Sequence, residues 1–272
     1  MARGPPVHKV WALIRASWLA ASSYRLGIIF SFGSLIVSVI PIFFITGALQ
    51  STMANVIRGQ GGQYFAFLVV GLITLNIVSS TIYALPGGLQ GATSTGTLEA
   101  LLATPTSVNA LLVGLSGYEV LFSLIRGAVM LIAAALLGAR VEWAQMGASV
   151  PIIALVVLSH LPIAIVTAAM VLAFRTRGPL PQLVLLASTF LGGVYYPTTV
   201  IPGWLESLSA FIPLTYGLAA LRAVLLEGRP ILSVWREIGI LMAITAGTLV
   251  LSVVAFRAAL GYARRVGNLA QY

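Results

Sequence analysis

The chain contains no cysteine, no aspartate and a single lysine, Lys9. Each absence removes chemistry. Without cysteine there is no disulfide framework, no thiolate nucleophile and no sulfur-ligated zinc or iron–sulfur site. Without aspartate there is no Ser-His-Asp triad and no aspartyl-phosphate intermediate. A nucleotide-binding P-loop, Gly-x-x-x-x-Gly-Lys-Ser/Thr, needs a lysine that reaches the β- and γ-phosphates. Lys9 stands between His8 and Val10, so the sequence has no such loop. The two histidines, His8 and His160, share no metal-ligand spacing. We therefore expect no catalytic residue, no metal and no cofactor bound by this chain.

Charge is also scarce. Charged residues make up 8% of the chain and hydrophobic residues 59%. A soluble globular domain carries roughly a quarter charged residues, so this chain cannot cover a water-facing surface, and lipid is the expected solvent. The net charge of +9 comes from basic residues scattered between apolar runs. A nucleic-acid-binding domain would gather them on one face of a soluble fold, so we expect a lipid bilayer as partner and no nucleic acid. The first long apolar run begins near Leu26 and extends to Leu49. That is longer than the roughly 7–15 apolar residues of a cleaved signal peptide.

What is present is a series of long apolar stretches. A spanning helix needs about 20 apolar residues. Runs near 26–49, 64–88, 110–138, 149–173, 180–199 and 238–260 meet that length. The expected fold class is an all-α polytopic membrane protein with six transmembrane helices, forming one transmembrane domain over 1–272. Segment 200–237 mixes Leu221 and Val224 with Glu206, Arg222, Glu227, Arg229, Pro230 and Arg236. It reads as an outer-face module of short or re-entrant helices before the last span. The distribution of Lys and Arg near the span ends favours both termini in the cytoplasm.

Residues 7–24 place Val7, Val10, Trp11, Ile14, Trp18 and Ala21 on one helical face. This reads as an interfacial helix lying in the headgroup layer with tryptophan anchors. The other reading is a cytoplasmic extension of the first span.

Three groups of polar residues within or beside the spans are candidate site residues. Glu119 and Arg126 lie on one face of the third run, about 10.5 Å apart along the axis. Each must find a partner on another helix, in a second subunit or in water. They read either as part of a substrate path or as inter-helix structural contacts. His160 precedes Leu161-Pro162 in the fourth run. It reads as a proton relay or substrate contact, or as a packing residue bonded to a carbonyl that Pro162 frees. A single histidine makes no relay chain, which favours packing. Tyr195 and Tyr196 end the fifth run. They read as a substrate exit or as part of an interfacial aromatic belt.

The segment 95–105 between the second and third runs carries a further signal. Thr97 suits an N-cap, Glu99 suits the first turn of a helix, and Pro105 cannot continue one. Leu98, Leu101 and Leu102 share a face at i, i+3, i+4. A short capped helix with a leucine face is suited to dock in a groove on a partner. The alternative is a helix flat on the lipid surface. The absence of Lys and Arg from this segment counts against that.

At this segment the sequence resembles a known family. Gly96-Thr97-Leu98-Glu99-Ala100-Leu101-Leu102-Ala103-Thr104-Pro105 is similar to the Gly-Thr-Leu-Glu-x-Leu-Leu-x-Thr-Pro motif of ABC transporter permeases of the second, drug- and polysaccharide-exporting type. Tyr196-Pro197, Ile201-Pro202-x-Trp204-Leu205, Ile212-Pro213-Leu214-Thr215-Tyr216 and Leu221-Arg222 resemble that family's signature before the last span. Many relatives have Gly-Lys near the start of the third span. Here the stretch reads Gly114-Leu115-Ser116-Gly117-Tyr118-Glu119, so no basic contact is carried over to it.

The resemblance implies a permease of an exporter for amphipathic drugs, lipids or glycans, in a prokaryotic inner membrane. It implies a separate cytoplasmic P-loop ATPase that holds ATP and Mg²⁺. It implies a second permease, identical or related, so that a homodimer is one expected state. Thr97, Leu98, Glu99, Leu101, Leu102 and Pro105 would then belong to a coupling helix that docks on the ATPase. The alternative from residues alone is an ion-coupled carrier or channel without an ATPase, which needs intramembrane acids or a charged pore. Glu119 is the only acid well inside a run.

Overall fold

A computed structural model of the chain describes residues 11–12, 14–15, 17–19, 24–94, 96, 108–174 and 178–265. The expected coupling residues Thr97, Leu98, Glu99, Leu101, Leu102 and Pro105 lie outside the described residues. Among the described residues the fold is helical, without a strand. In lipid no water can pair with exposed backbone groups, so a spanning segment must satisfy them internally, and a helix does so.

From Arg25 onward the described residues form eight α-helices: α1 (Arg25–Met53), α2 (Tyr64–Ser94), α3 (Val108–Leu136), α4 (Met146–Phe174), α5 (Leu180–Leu191), α6 (Gly203–Ser209), α7 (Pro213–Leu225) and α8 (Trp235–Arg265). Five of them, α1 to α4 and α8, are long and apolar enough to cross a membrane. The number rises to 6 if the bent pair α6–α7 is taken as one span. The chain is an integral membrane protein.

The helices have unequal surroundings. α2 is the central element, and 67% of its most apolar window is buried. It packs against α1, α3, α4 and α7. α8 packs on α4 and α7. The main core joins α2, α4, α7 and α8 through Val78, Ile82, Ile152, Val156, Leu218 and Leu241. A second cluster ties α1 to α2 and α3 through Val39, Phe65, Val69 and Met130. Only Val39 and Thr46 of α1 are buried, and Leu26, Ile29, Phe30, Val37 and Phe44 are exposed. So apolar a face is stable only against lipid or another protein surface. In segment 7–24 the described residues 11–12, 14–15 and 17–19 are helical, and Tyr24 is not. Trp18 meets Tyr118 of α3 edge-to-face at 6.0 Å, while Trp11 is exposed.

The apolar run at 180–199 folds differently from its expected single span. Its helix, α5, has 12 residues, about 18 Å long against a hydrocarbon core of about 30 Å. Gly192 and Gly193 end it. The amide of Gly192 donates to the Ser188 carbonyl at 3.0 Å, and Gly193 turns into the left-handed region at φ 79°, which costs glycine nothing sterically. The chain then passes Pro197 into a 3₁₀ turn, Thr198–Val200.

Residues 200–237 form α6 and α7, bent by 87° with respect to each other, and a 3₁₀ turn at Ile231–Val234. Pro213 opens α7, where a missing N–H is harmless. Leu214, Leu218, Leu221, Val224 and Leu225 then pack into the main core. Beyond α7, Glu227 lies 3.8 Å from Arg229. Burial raises the Glu227 pKa, and Arg229 and the Gly61 amide oppose that rise.

Candidate functional site: a polar trough beside a sealed arginine

A set of polar residues from the long helices lies on one side of α2. Asn76, Ser79, Tyr83 and Gly87 recur at steps of three and four, so they share one face of the helix. Two adjoining cavities open there. One, of about 550 Å³, is lined by Ser34, Ser38, Asn76, Ser79, Arg126 and Thr189, with apolar neighbours. The other, of about 710 Å³, is lined by Ser17, Ser80, Tyr83, Gly87, Tyr118 and Glu119. Asn76, Ser79 and Arg126 line both. The result is a continuous trough between α1, α2, α3 and α5. Arg126 sits at its middle and Glu119 at the end nearer Ser17.

The hydrogen bonds of the trough show what it offers a ligand. Ser34 donates to Ser31 O at 3.1 Å and Ser38 to Leu35 O at 2.6 Å. Thr189 donates to Leu185 O at 2.6 Å. These hydroxyl protons are engaged with their own helices, which leaves oxygen lone pairs as acceptors. Tyr83 donates to Gln182 Oε1 at 3.2 Å and ties α2 to α5. Arg126 makes no hydrogen bond or ion pair with any described residue, and its Nε is buried without a partner. Glu119 and Arg126 thus share a cavity but form no salt bridge within the chain. The only ion pair among the described residues is Arg229–Glu227.

A second arginine lies in the opposite situation. Arg222 of α7 is 2% exposed. Its Nη1 donates to Gly193 O at 2.8 Å, and its Nη2 donates to Phe67 O and Val194 O at 3.1 Å each. Gln60 Oε1 lies 3.4 Å from Nη1. The guanidinium carbon stands 3.4 Å from the Phe67 ring centroid, a cation–π geometry. The two carbonyls at the end of α5 therefore find their donors in α7. Gly71 leaves room for this arrangement. A Cβ there would lie 2.5 Å from Val194 O and 2.9 Å from Arg222 Nη2.

The remaining candidate residues lie apart from the trough. His160 is fully buried in α4. Its Nδ1 lies 2.8 Å from Val156 O and 3.0 Å from Ser159 Oγ, so it bonds within its own helix. The carbonyl it reaches is that of Val156, not one that Pro162 frees. Tyr195 and Tyr196 follow the break after α5. The Tyr195 carbonyl accepts from Tyr64 Oη at 3.0 Å, and Tyr196 Oη donates to Phe190 O at 2.9 Å. The reading from sequence brought Glu119 and Arg126 together. It missed Asn76, Ser79 and Tyr83, although their spacing carried the signal. It named Arg222 among the charges of segment 200–237 and within a motif, and not as a site residue.

A helical bundle of apolar spans that lines internal cavities with amide, hydroxyl and charged groups fits a membrane transport subunit. Comparison with known sequences gives the family. The chain belongs to the ABC-2 type transporter family, whose profile matches residues 8–226. It is 28% identical over 205 residues to Nodulation protein J of Rhizobium leguminosarum bv. viciae, covering 74% of this chain and 77% of that protein. It is 25% identical over 205 residues to Nodulation protein J of Rhizobium meliloti (strain 1021), covering 74% of this chain and 76% of that protein. It is 25% identical over 166 residues to the inner membrane transport permease YadH of Escherichia coli (strain K12), covering 60% of this chain and 63% of that protein. The chain is a membrane permease of an ABC transporter and is not itself an enzyme. Such permeases normally work with an ATP-binding subunit.

Proposed function

We propose that the chain exports an amphipathic molecule, a drug, lipid or glycan, along the trough between α1, α2, α3 and α5. The observation that carries this reading is the set Asn76, Ser79, Arg126 and Glu119, which lines adjoining cavities within otherwise apolar helices. Polar groups at membrane depth are costly unless they face water, protein or a ligand. In this reading a separate cytoplasmic ATPase holds ATP and Mg²⁺ and docks on Thr97, Leu98, Glu99, Leu101, Leu102 and Pro105. A second copy of the chain or a related permease completes the transporter in a prokaryotic inner membrane, with both termini cytoplasmic.

Single-cysteine labelling tests the path cleanly, because the chain has no native cysteine. Asn76→Cys and Ser79→Cys should react with a water-soluble thiol reagent in membranes. Val78→Cys and Ile82→Cys, both in the main core, should not. Equal protection of all four positions would remove the trough from the transport path. Affinity purification from native membranes tests the partner. A P-loop ATPase should copurify with the wild type and be lost with Leu101→Arg. A folded permease that brings no ATPase would point to a carrier working alone.

A further inference from the structure

We propose that Arg126 is an anion-binding point at the middle of the trough, taking one phosphate, sulfate or carboxylate group of a hydroxyl-bearing amphiphile. The proposal rests on the reading of the trough as the transport path and narrows its ligand. Arg126 is half-buried, its Nε is buried without a partner, and no carboxylate of a described residue pairs with it. A cation withdrawn from water needs compensating charge or acceptors. Arg222, whose Nε is likewise without a partner, shows how this fold compensates an arginine internally, with main-chain carbonyls on its two terminal nitrogens and an aromatic face below. Nothing comparable is built around Arg126. The compensating group must come from outside the described chain.

The lining indicates what else that ligand carries. Ser34, Ser38 and Thr189 have given their protons to helix carbonyls. They present acceptors, which suit hydroxyl or amide donors on the ligand. The guanidinium is the charged donor, and its flat fork matches a phosphate or carboxylate in two-pronged fashion. One anionic group surrounded by hydroxyls therefore complements the trough at Arg126, whose cavity of about 550 Å³ has the size of a small-molecule site. Glu119, at the far end of the adjoining cavity, disfavours a second negative charge there.

The test uses the full-length chain in phosphatidylcholine nanodiscs and equilibrium binding of two radiolabelled probes, dodecyl phosphate and the neutral dodecyl glucoside. Wild type should prefer the phosphate by at least about tenfold, the scale of one charge-assisted pair. Arg126→Gln should abolish the preference, and Arg126→Lys should keep part of it and serve if the glutamine variant fails to fold. Arg140→Gln, at an exposed arginine away from the trough, should leave it intact and so control for the chain's positive charge. Glu119→Gln should preserve or strengthen it.

No preference in the wild type, or a preference that survives loss of Arg126, overturns the proposal. A preference lost equally in Glu119→Gln also overturns it, because Arg126 then acts with Glu119 of a second copy. Nanodiscs of phosphatidylglycerol distinguish the source of the anion. Loss of dodecyl phosphate binding there assigns the site to a lipid headgroup, and unchanged binding assigns it to a transported molecule. Either outcome supports an anion site. If Ser79→Cys is shielded from water while phosphate binding still depends on Arg126, the path reading fails and the anion site stands.

Discussion

Arg222 and Arg126 are the same residue type in two regions only a helix apart, and the fold treats them in opposite ways. Around Arg222 the chain closes on both terminal nitrogens of the guanidinium, and only Nε is left without a partner. The carbonyls of Phe67, Gly193 and Val194 converge on the guanidinium, and Gly71 gives up its side chain so that they can. Around Arg126 the chain opens a cavity, turns its serine protons elsewhere and gives none of the guanidinium nitrogens a partner among the described residues. A buried charge with all its partners inside the chain holds elements together. A charge left incomplete is available for something that arrives from outside. For a helical membrane protein, the informative property of an intramembrane arginine is thus how much of its hydrogen bonding is already used.

The comparison can be broken by mutation, and the largest effect belongs to the sealed side. Arg222→Ala strands three carbonyls and uncovers Phe67. We expect a loss of about 3–5 kcal/mol, as for removing one member of a buried charged network, seen as a collapse of thermal stability in detergent. Arg222→Lys should recover only part of it, because one ammonium cannot reproduce the planar fork. Gly71→Ala should cost about 1–3 kcal/mol, typical of overpacking, since the new methyl meets Val194 O and Arg222 Nη2. Arg126→Met should change stability by less than about 1 kcal/mol, because no pairing within the chain is lost. It should nevertheless reduce transport by tenfold or more in a reconstituted permease–ATPase assay. If Arg126→Met melts as early as Arg222→Ala, the two arginines are both structural and the contrast fails.

The smallest effect concerns Glu227, outside the long helices. Its pKa is raised in the folded protein by burial. The folded state therefore favours the protonated form, and ionisation as pH rises through the folded pKa weakens stability slightly. Glu227→Gln should remove this pH dependence and shift stability by no more than about 0.5 kcal/mol at neutral pH. Melting curves at pH 4 and 8, as trial conditions, would show whether the wild-type difference disappears.

Much of this was legible in the residues. The five long helices lie within a few residues of their apolar runs, because length and hydropathy are what lipid demands. The run at 180–199 was overextended for the same reason. Apolar composition continues past Leu191, while the backbone break depends on the left-handed turn at Gly193 and on donors supplied by Arg222 from elsewhere in the chain. Glu119 and Arg126 stood out as charges among apolar residues. Asn76, Ser79 and Tyr83 did not, since uncharged polar residues are common in spanning helices and only their shared face marks them. The three closest hydrogen-bond partners of Arg222 are main-chain carbonyls, which have no letter in a sequence. His160 reads ambiguously because an internal helix bond and a relay use the same side chain.

That choice of acceptors has an evolutionary corollary. A hydrogen bond to a backbone oxygen survives any substitution at the acceptor position that keeps the backbone course. The seal between the end of α5 and α2 therefore exposes few codons to damaging mutation, chiefly those for residues 67, 71, 193 and 222. Beyond the Phe67 ring and Gln60 Oε1, its donor has no side-chain partner with which to co-vary, so pairwise correlations among homologous sequences would report only part of this junction.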